Sequence, residues 1–360
     1  MIKIVNDLHA GVRRQGGTTI ASRTALAQYV SKNIKALLNW AIDADALVIL
    51  GDIFDKAKVS EVVLIDVLFM LTSYLRDSKA DLILVRGNHD SKSELVDDMC
   101  SLEVLYTLLV SSLSDSGDDP TRVHLVFSEP LAFEDEGINY HIIPHVFNQE
   151  TFDKLVGEVP KDTDYLLLHC NFDCKYAVGD HSLNLTREQA KELVSRGTEI
   201  LIAHEHQRRV PMGGVLVLGN QFPTSIADCK GNEVKEAIIL SEGGKDEDGC
   251  WAAERMDVIT TWEAEASFVD CSPRDIKEAE FIRVSGTCKQ SEFGQIVKDI
   301  AEYRKTSKAF VISNAVKVDM VERTVSREDV NQINILELLI AAIPEGMRER
   351  VKETSYGKRT

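Results

Sequence analysis

The sequence contains no apolar run long enough to cross a membrane, and residues 1–9 lack the long apolar region of a signal peptide. Its seven cysteines are odd in number and scattered along the chain. The spacing of Cys170 and Cys174 fits neither a zinc knuckle nor a redox pair. We therefore expect free thiols, a cytoplasmic location with reducing conditions, and no membrane partner.

Basic residues are too few to balance the acidic ones. The chain has 41 Lys and Arg against 58 Asp and Glu, which gives a formal net charge of −17. Proteins that bind nucleic acid through counterion release usually present a basic face. Any contact of this chain with nucleic acid must therefore come from a local basic patch or from bound metal ions. The plainer interpretation is that the acidity keeps the protein soluble.

The sequence also has no internal repeat and no low-complexity segment. Its 360 residues, 44% of them hydrophobic, can bury a substantial core. That length allows one large domain plus a smaller one, or two medium domains. Short apolar runs alternate with amphipathic stretches, and this alternation favours a layered α/β sandwich over an all-β or an all-helical protein.

Side chains that can bind a metal ion follow five of the short apolar runs. In chain order they are Asp7 and His9; Asp52 and Asp55; Asn88, His89 and Asp90; His169; and His204 with His206. Because each set follows a buried-strand pattern, a single sheet could bring them all to one edge.

This mixture of carboxylate, imidazole and amide oxygen suits first-row divalent ions such as manganese, iron or zinc better than calcium or magnesium alone. The ligands suffice for two ions, which need a bridging group when they lie roughly 3.5–4 Å apart. Each motif alone has an ordinary explanation, since Asp-x-His is frequent by chance and Gly-Asp after a strand is often only a turn. All five in this order favour a metal site.

The order Asp-x-His, Gly-Asp-x-x-Asp, Gly-Asn-His-Asp, His and x-His-x-His resembles that of the calcineurin-like metallophosphoesterases, over roughly the first 240 residues. The resemblance implies a four-layer α/β/β/α sandwich. It also implies a first ion bound by Asp7, His9, Asp52 and His206, and a second bound by Asp52, Asn88, His169 and His204.

In that assignment Asp52 bridges the two ions. His89 would stabilise the transferring phosphoryl group or protonate the leaving oxygen, and Asp90 and Asp55 would orient histidines. Two positions depart from the family pattern: Asn6 stands where a small residue is usual, and Ala203 replaces a glycine.

The fragments GDIFDKA (51–57) and RGNHD (86–90) resemble the SbcD-type nuclease subunits and their bacteriophage counterparts more than the Ser/Thr protein phosphatases. The segment LGNQFPTS (218–225) resembles the closing loop of the same group. The resemblance implies a DNA nuclease of repair and recombination with two manganese ions, for which magnesium, iron and zinc are alternatives. Its partners would be DNA and an SbcC-like coiled-coil ATPase, in a complex that contains a homodimer.

We expect a nuclease domain at 1–264, a β-α-β cap that contacts DNA at 265–325, and a helical tail at 326–360 that docks on the ATPase. The cap could instead be a packing module, and the tail could pack on its own domain. Eight basic residues lie just beyond the motifs and could form a rim for phosphate groups: Arg13, Arg14, Lys56, Lys58, Arg86, Lys92, Arg208 and Arg209.

Two other functions remain open at this stage. A small-molecule phosphodiesterase, acting on cyclic nucleotides for example, would use the same ligands in a more tightly capped site. A non-catalytic adaptor for the ATPase would need only the tail, but the complete set of ligands argues against it.

Overall fold

The computed structural model describes residues 1–13, 20–91, 99–176, 182–225, 228, 235–240, 253–255, 281–306 and 310–319. Strands and helices alternate through the first third of the chain. In order they are β1 (Ile2–Val5), α1 (Ile20–Trp40), β2 (Ala46–Leu50), α2 (Glu61–Asp77), β3 (Asp81–Val85), α3 (Ser101–Ser116) and β4 (Val123–Val126). The four strands pair in parallel, in the order in which they occur.

The middle of the chain begins with an antiparallel hairpin and continues with further strand–helix units. Its elements are β5 (Leu131–Asp135), β6 (Ile138–Ile143), α4 (Gln149–Gly157), β7 (Tyr165–His169), β8 (Asn171–Phe172), β9 (Asn184–Leu185), α5 (Arg187–Ser195), β10 (Glu199–Ala203), β11 (Arg209–Met212), β12 (Val215–Val217), β13 (Glu236–Leu240) and β14 (Ala253–Arg255).

Two six-stranded sheets result. The first has the order β14-β13-β1-β2-β3-β4, and the second has the order β11-β12-β10-β7-β6-β5. Strand β13 returns to the first sheet antiparallel to β1, with Ile4 opposite Ile238. In the second sheet β6, β7, β10 and β12 are parallel neighbours.

Side chains alternate between the two faces of each strand, and this alternation divides the core into three layers. In β2, Leu47 and Ile49 face helices α1–α3, whereas Val48 and Leu50 face the second sheet. In the second sheet Leu201 faces the first sheet, and residues on its opposite face pack with α4 and α5. Successive strand side chains point to opposite faces, so continuous apolar strands are buried on both sides. The α/β/β/α sandwich expected from the sequence is confirmed.

Helix α1 follows the spacing that the sequence predicts. Leu26, Val30, Ile34 and Leu37 are buried against the first sheet at intervals of three or four residues. Helix α3 begins with the side chain of Glu103 accepting a hydrogen bond from the main-chain N–H of Cys100, at 2.9 Å. Among the described residues, no helix has the length and apolar character needed to span a bilayer.

A separate β-α-β unit follows, as the sequence indicates. It consists of β15 (Phe281–Lys289), α6 (Gln290–Thr306) and β16 (Phe310–Asp319), with the two strands parallel and Phe281 opposite Phe310. Parallel strands require a crossover connection, which α6 provides. The boundaries expected near 264 and 325, and the helical tail at 326–360, lie outside the described residues and stay predictions.

The layer between the sheets gives a direct test of the fold. Leu201 is fully buried in that layer, whereas Leu108 on α3 is 39% exposed. We expect Leu201→Ala to lower the free energy of unfolding by about 2–5 kcal/mol, because it leaves a cavity between two packed sheets. Leu108→Ala is the matched control and should cost under about 1 kcal/mol. Urea unfolding followed by circular dichroism measures both, and equal losses would contradict the assigned core.

Candidate metal centre

The first group of ligands gathers Asp7, His9 and His206 from the ends of β1 and β10. His9 Nε2 lies 3.1 Å from His206 Nε2, and His206 Nε2 lies 3.8 Å from Asp7 Oδ1. Asp7 Oδ1 is buried and has no hydrogen-bond partner in the described part of the chain. Ligands about 2.1 Å from one ion at right angles lie about 3 Å apart, so this group fits a divalent cation.

The second group gathers Asp52, Asn88, His169 and His204. His169 Nε2 lies 3.1 Å from Asn88 Oδ1 and 3.4 Å from Asp52 Oδ1. His204 Nδ1 lies 2.9 Å from the same Asn88 oxygen. The amide oxygen thus faces two imidazoles, which is again the spacing of donors around a single ion.

Asp52 joins the two groups. Its Oδ1 faces His169, and its Oδ2 lies 3.8 Å from His9 Nε2 in the first group. One carboxylate oxygen therefore points toward each candidate ion. The structure brings all seven residues expected as ligands together, but the expectation of a single sheet is wrong. Strand ends of the first sheet carry Asp7, His9, Asp52 and Asn88, and strand ends of the second carry His169, His204 and His206.

Four of the seven expected ligand residues adopt an uncommon backbone conformation. Asp7, His9, Asp52 and His204 have φ values of +52°, +46°, +51° and +91°. Left-handed backbone costs non-glycine residues of order 1–3 kcal/mol each, and such strain concentrates at functional sites. All four residues lie in the segments directly after β1, β2 and β10.

Two glycines make the close approach possible. A Cβ on Gly51 would lie 2.1 Å from Nδ1 of His169, and Gly51 also has a φ of +80°. A Cβ on Gly87 would lie 2.1 Å from Oδ1 of Asp52 and 2.3 Å from its main-chain nitrogen. The Gly-Asp and Gly-Asn motifs therefore need glycine because the ring of His169 packs on Gly51 and Asp52 packs on Gly87.

Hydrogen bonds fix which nitrogen two of the histidines present. His169 Nδ1 donates to the carbonyl of Leu50 at 3.1 Å, and His206 Nδ1 donates to Asp228 Oδ1 at 2.9 Å. Both rings then offer Nε2 to the centre. A carboxylate or carbonyl behind the ring commonly holds a metal-binding histidine in the required tautomer.

His89 lies at the exposed side of the centre. Its main-chain N–H donates to Asp52 Oδ1, and its Nδ1 lies 2.9 Å from the main-chain carbonyl of Asp55. Its ring is 4.9 Å from the ring of His9, edge to face. This arrangement leaves Nε2 to exchange a proton beside the ligands. The carboxylate of Asp55 also lies within 4.8 Å of ring nitrogens of His9 and His89.

Asp90 was expected to orient a histidine, and in the structure it receives main-chain N–H groups. It accepts hydrogen bonds from Phe54 at 3.0 Å and from Gly87 at 2.9 Å. These contacts tie the loop after β2 to the loop after β3. Burial, reinforced by the nearby charge of Asp52, raises the pKa of Asp90 to about 6.

Sequence reasoning missed Asp228, Gln221 and the role of Asn6. Asp228 carries no motif around it, and only its distance of 2.9 Å from His206 reveals it. Asn6 departs from the family pattern because its side chain bonds to Gln221 and to the carbonyl of Gly219. Ala203 has no left-handed φ and packs in the layer between the sheets, so its backbone has no need of glycine.

The prediction of a basic rim around the centre is wrong for some of its residues. Arg86 is buried between the rings of Phe127 and Phe147, and its Nε donates to the carbonyl of His145 at 2.7 Å. It therefore cannot contact a phosphate at the surface. Arg208 and Arg209 form ion pairs with acidic residues, Glu236 and Glu205 respectively. Arg13, Lys56 and Lys58 are exposed, and Arg14 and Lys92 lie outside the described residues.

Charges in the centre shift the pKa values of its histidines in opposite directions. Burial lowers the pKa of His169 and His206, but Asp52 beside one ring and Asp228 beside the other outweigh burial and raise each pKa to about 9. Burial, together with His169, lowers the pKa of His204 to about 4. Burial opposes ionisation of Asp52, yet His169 and His9 hold its pKa below the ordinary value.

These values predict that metal binding depends on pH. Without metal, His169 and His206 carry protons below pH about 9, and an ion must displace them. The affinity for Mn²⁺ should therefore fall by roughly tenfold per ion for each pH unit below about 9, and level off above it. Titration calorimetry at several pH values measures this slope. A constant affinity between pH about 6.5 and 9 would show that both rings are already neutral.

A second prediction concerns the approach of the two loops. Gly87→Ala places a methyl group against the main chain and carboxylate of Asp52, which must move. We expect the affinity for Mn²⁺ to fall by about 10–100-fold, as for other changes that displace a ligand. Gly157→Ala is the matched control, because a Cβ there meets no atom within 4 Å. Unchanged binding by the Gly87 variant would contradict the position assigned to Asp52.

Comparison with known proteins agrees with this geometry. The profile of the family described as calcineurin-like phosphoesterase matches residues 1–221. No curated protein sequence matches the chain. A solved structure titled "Structural and Functional Characterization of a Novel Archaeal Phosphodiesterase" aligns with 71% of this chain and 99% of its own, at 12% identity and a TM-score of 0.31. That likeness is too weak to indicate a substrate. From the profile match, the chain belongs to the calcineurin-like phosphoesterase family, whose members are metal-dependent hydrolases of phosphoesters.

Proposed function

We propose that this protein is a DNA nuclease that hydrolyses phosphodiester bonds at DNA ends with two manganese ions. The observation that carries the proposal is the shared carboxylate of Asp52, whose two oxygens face two separate ligand groups beside the exposed His89. Two-ion centres of this kind suit displacement at phosphorus, where both the attacking and the leaving oxygen need stabilisation.

The residues have separable roles in such a reaction. When bound, the two ions would activate water and offset the negative charge of the phosphoryl group. Asp7, His9 and His206 would hold one ion, and Asn88, His169 and His204 the other, with Asp52 shared. Water would add to phosphorus as the bond to the leaving oxygen breaks, and the proton that the water loses would pass to solvent. His89, fixed through Nδ1 on the carbonyl of Asp55, stabilises the phosphoryl group or gives its Nε2 proton to that oxygen.

The choice of DNA rests on sequence and on exposure. The fragments at 51–57 and 86–90 resemble those of SbcD-type nuclease subunits. His89 is exposed, as are Arg13, Lys56 and Lys58, which follow the strand ends that carry the ligands. An exposed general acid is accessible to a polymer, and nearby cations can contact its phosphate backbone. The β-α-β unit would supply a second contact with DNA.

Partner and pathway follow from the same resemblance. We propose that the protein acts in the cytoplasm with an SbcC-like coiled-coil ATPase in DNA repair and recombination, as a homodimer within that complex. The tail at 326–360 would dock on the ATPase. Manganese is the proposed metal because the centre mixes carboxylate, imidazole and amide oxygen, and magnesium, iron and zinc remain alternatives.

The test compares variants on a panel of linear, hairpin and circular DNA with Mn²⁺. Asp52→Asn should abolish cleavage and weaken binding of both ions, because both groups lose their shared ligand. His89→Ala should lower the cleavage rate by about 10²–10⁴-fold while Mn²⁺ still binds, since it removes a proton donor rather than a ligand. His124→Ala, a histidine on β4 away from the centre, is the control and should cleave like the wild type.

Two outcomes would replace the proposal. If the wild type with Mn²⁺ leaves every DNA form intact but hydrolyses cyclic nucleotides, the protein is a small-molecule phosphodiesterase. If it binds no transition metal at all, the adaptor function for the ATPase becomes the better explanation.

A further inference from the structure

The histidine that completes the first ligand group depends on a residue outside the metal motifs. His206 Nδ1 donates to Asp228 Oδ1 at 2.9 Å, and Asp228 is 5% exposed. The other oxygen of Asp228 accepts hydrogen bonds from the main-chain N–H groups of Thr224, at 2.8 Å, and of Ser225, at 2.9 Å. Asp228 is thus fixed by the loop and in turn fixes the ring of His206.

The same loop also fixes Asp7. The side chain of Gln221 accepts from the main-chain N–H of Asn6 at 2.8 Å and donates to the side-chain oxygen of Asn6 at 2.8 Å. Asn6 Nδ2 then donates to Gly219 and to the carboxylate of Asp7. We call residues 219–225 together with Asp228 the support loop.

Main-chain contacts add to this support. Lys235, which is buried, donates through Nζ to the carbonyl of His206 at 2.9 Å and to Asn220 Oδ1 at 2.7 Å. The N–H of Asn220 donates to the same carbonyl at 3.3 Å. Both the ring and the main chain of His206 are therefore held by chain that follows β12.

The second ligand group is held differently. His169 is fixed by the carbonyl of Leu50 at the end of β2, and Asp52 by the N–H of His89. In the part of the chain that the structure describes, no direct hydrogen bond joins Asp52, Asn88, His169 or His204 to the support loop. The main-chain N–H of His204 donates to Asp7 at 3.2 Å, and its ring is held by Asn88 instead. The positions of these four residues depend on strand ends that are packed in the core.

We propose that Asp228 and Gln221 are positioning residues for one ion only, the one held by Asp7, His9 and His206. The consequence is that this ion can be lost while its neighbour stays bound. The inference concerns the metal centre, and it holds whichever phosphoester the enzyme cuts.

Asp228→Asn tests it with little change in volume. An asparagine can still accept from the loop N–H groups, but it no longer carries the charge that holds the His206 N–H. We expect calorimetry with Mn²⁺ to show one ion bound about 10–100-fold more weakly and the other within about twofold of the wild type. Electron paramagnetic resonance at two equivalents of Mn²⁺ should change from the signal of a spin-coupled pair to that of isolated ions.

Two controls separate positioning from general damage. Asp43→Asn makes the same change at an exposed aspartate that pairs with Lys3 near the amino ends of β1 and β2, the opposite end of these strands from the ligands, and should bind both ions normally. The double variant Asp228→Asn with His206→Asn should bind Mn²⁺ within about twofold of His206→Asn alone, because Asp228 acts through that ring.

Gln221→Leu is an independent variant whose effect passes through Asp7. It tests the proposal even if the Asp228→Asn variant does not fold. It should weaken the same single ion. The folding criterion is a circular dichroism spectrum in chelator that matches the wild type. In a variant that meets it, equal weakening of both ions, or wild-type affinity for both, would overturn the proposal.

Discussion

The carboxylate of Asp52 faces two ligand groups at once, and much of the surrounding structure keeps it in that position. Its backbone is left-handed, its neighbour Gly87 has no Cβ to displace it, and the N–H of His89 binds one of its oxygens. Asp90 ties together the loops on either side of it. A residue shared by two ions cannot move toward one without leaving the other, so these restraints act on both sites together.

The sequence predicts the sandwich and the ligands because both depend on local patterns. Parallel strands present their carboxyl ends at the same edge, so Asp7, Asp52 and Asn88 could be placed together from the order of apolar runs alone. Asp228 could not be placed in this way, because it is not at a strand end and only the course of a loop brings it to His206. Asn6 likewise finds its partner Gln221 215 positions later. Arg86 was wrongly assigned to the surface because sequence spacing does not show that two aromatic rings enclose it.

The charges and the backbone of the centre favour the metal-bound protein over the metal-free protein. Asp52 is a buried negative charge that, without ions, is compensated by a proton on His169, while Asp228 holds a proton on His206; the pKa values of both rings lie near 9. Raised histidine pKa values stabilise the folded state fully below pH about 6.5, and this contribution disappears as the pH rises through 9. Divalent ions would replace those protons, and they would also offset the cost of the left-handed backbone at four of the expected ligands.

The acidity of the chain gives the ions a second role. The net charge is −17 and Arg86 is buried, so among the described residues of the expected rim only Arg13, Lys56 and Lys58 are exposed cations outside the ion pairs of Arg208 and Arg209. Two divalent ions would bring four positive charges to the edge where Asp52 and His89 lie, and they would be the largest local charges there. An enzyme of this composition therefore gains much of its attraction for phosphate only after it has bound metal. Loss of the ion that depends on Asp228 and Gln221 would then weaken phosphate binding as well as catalysis.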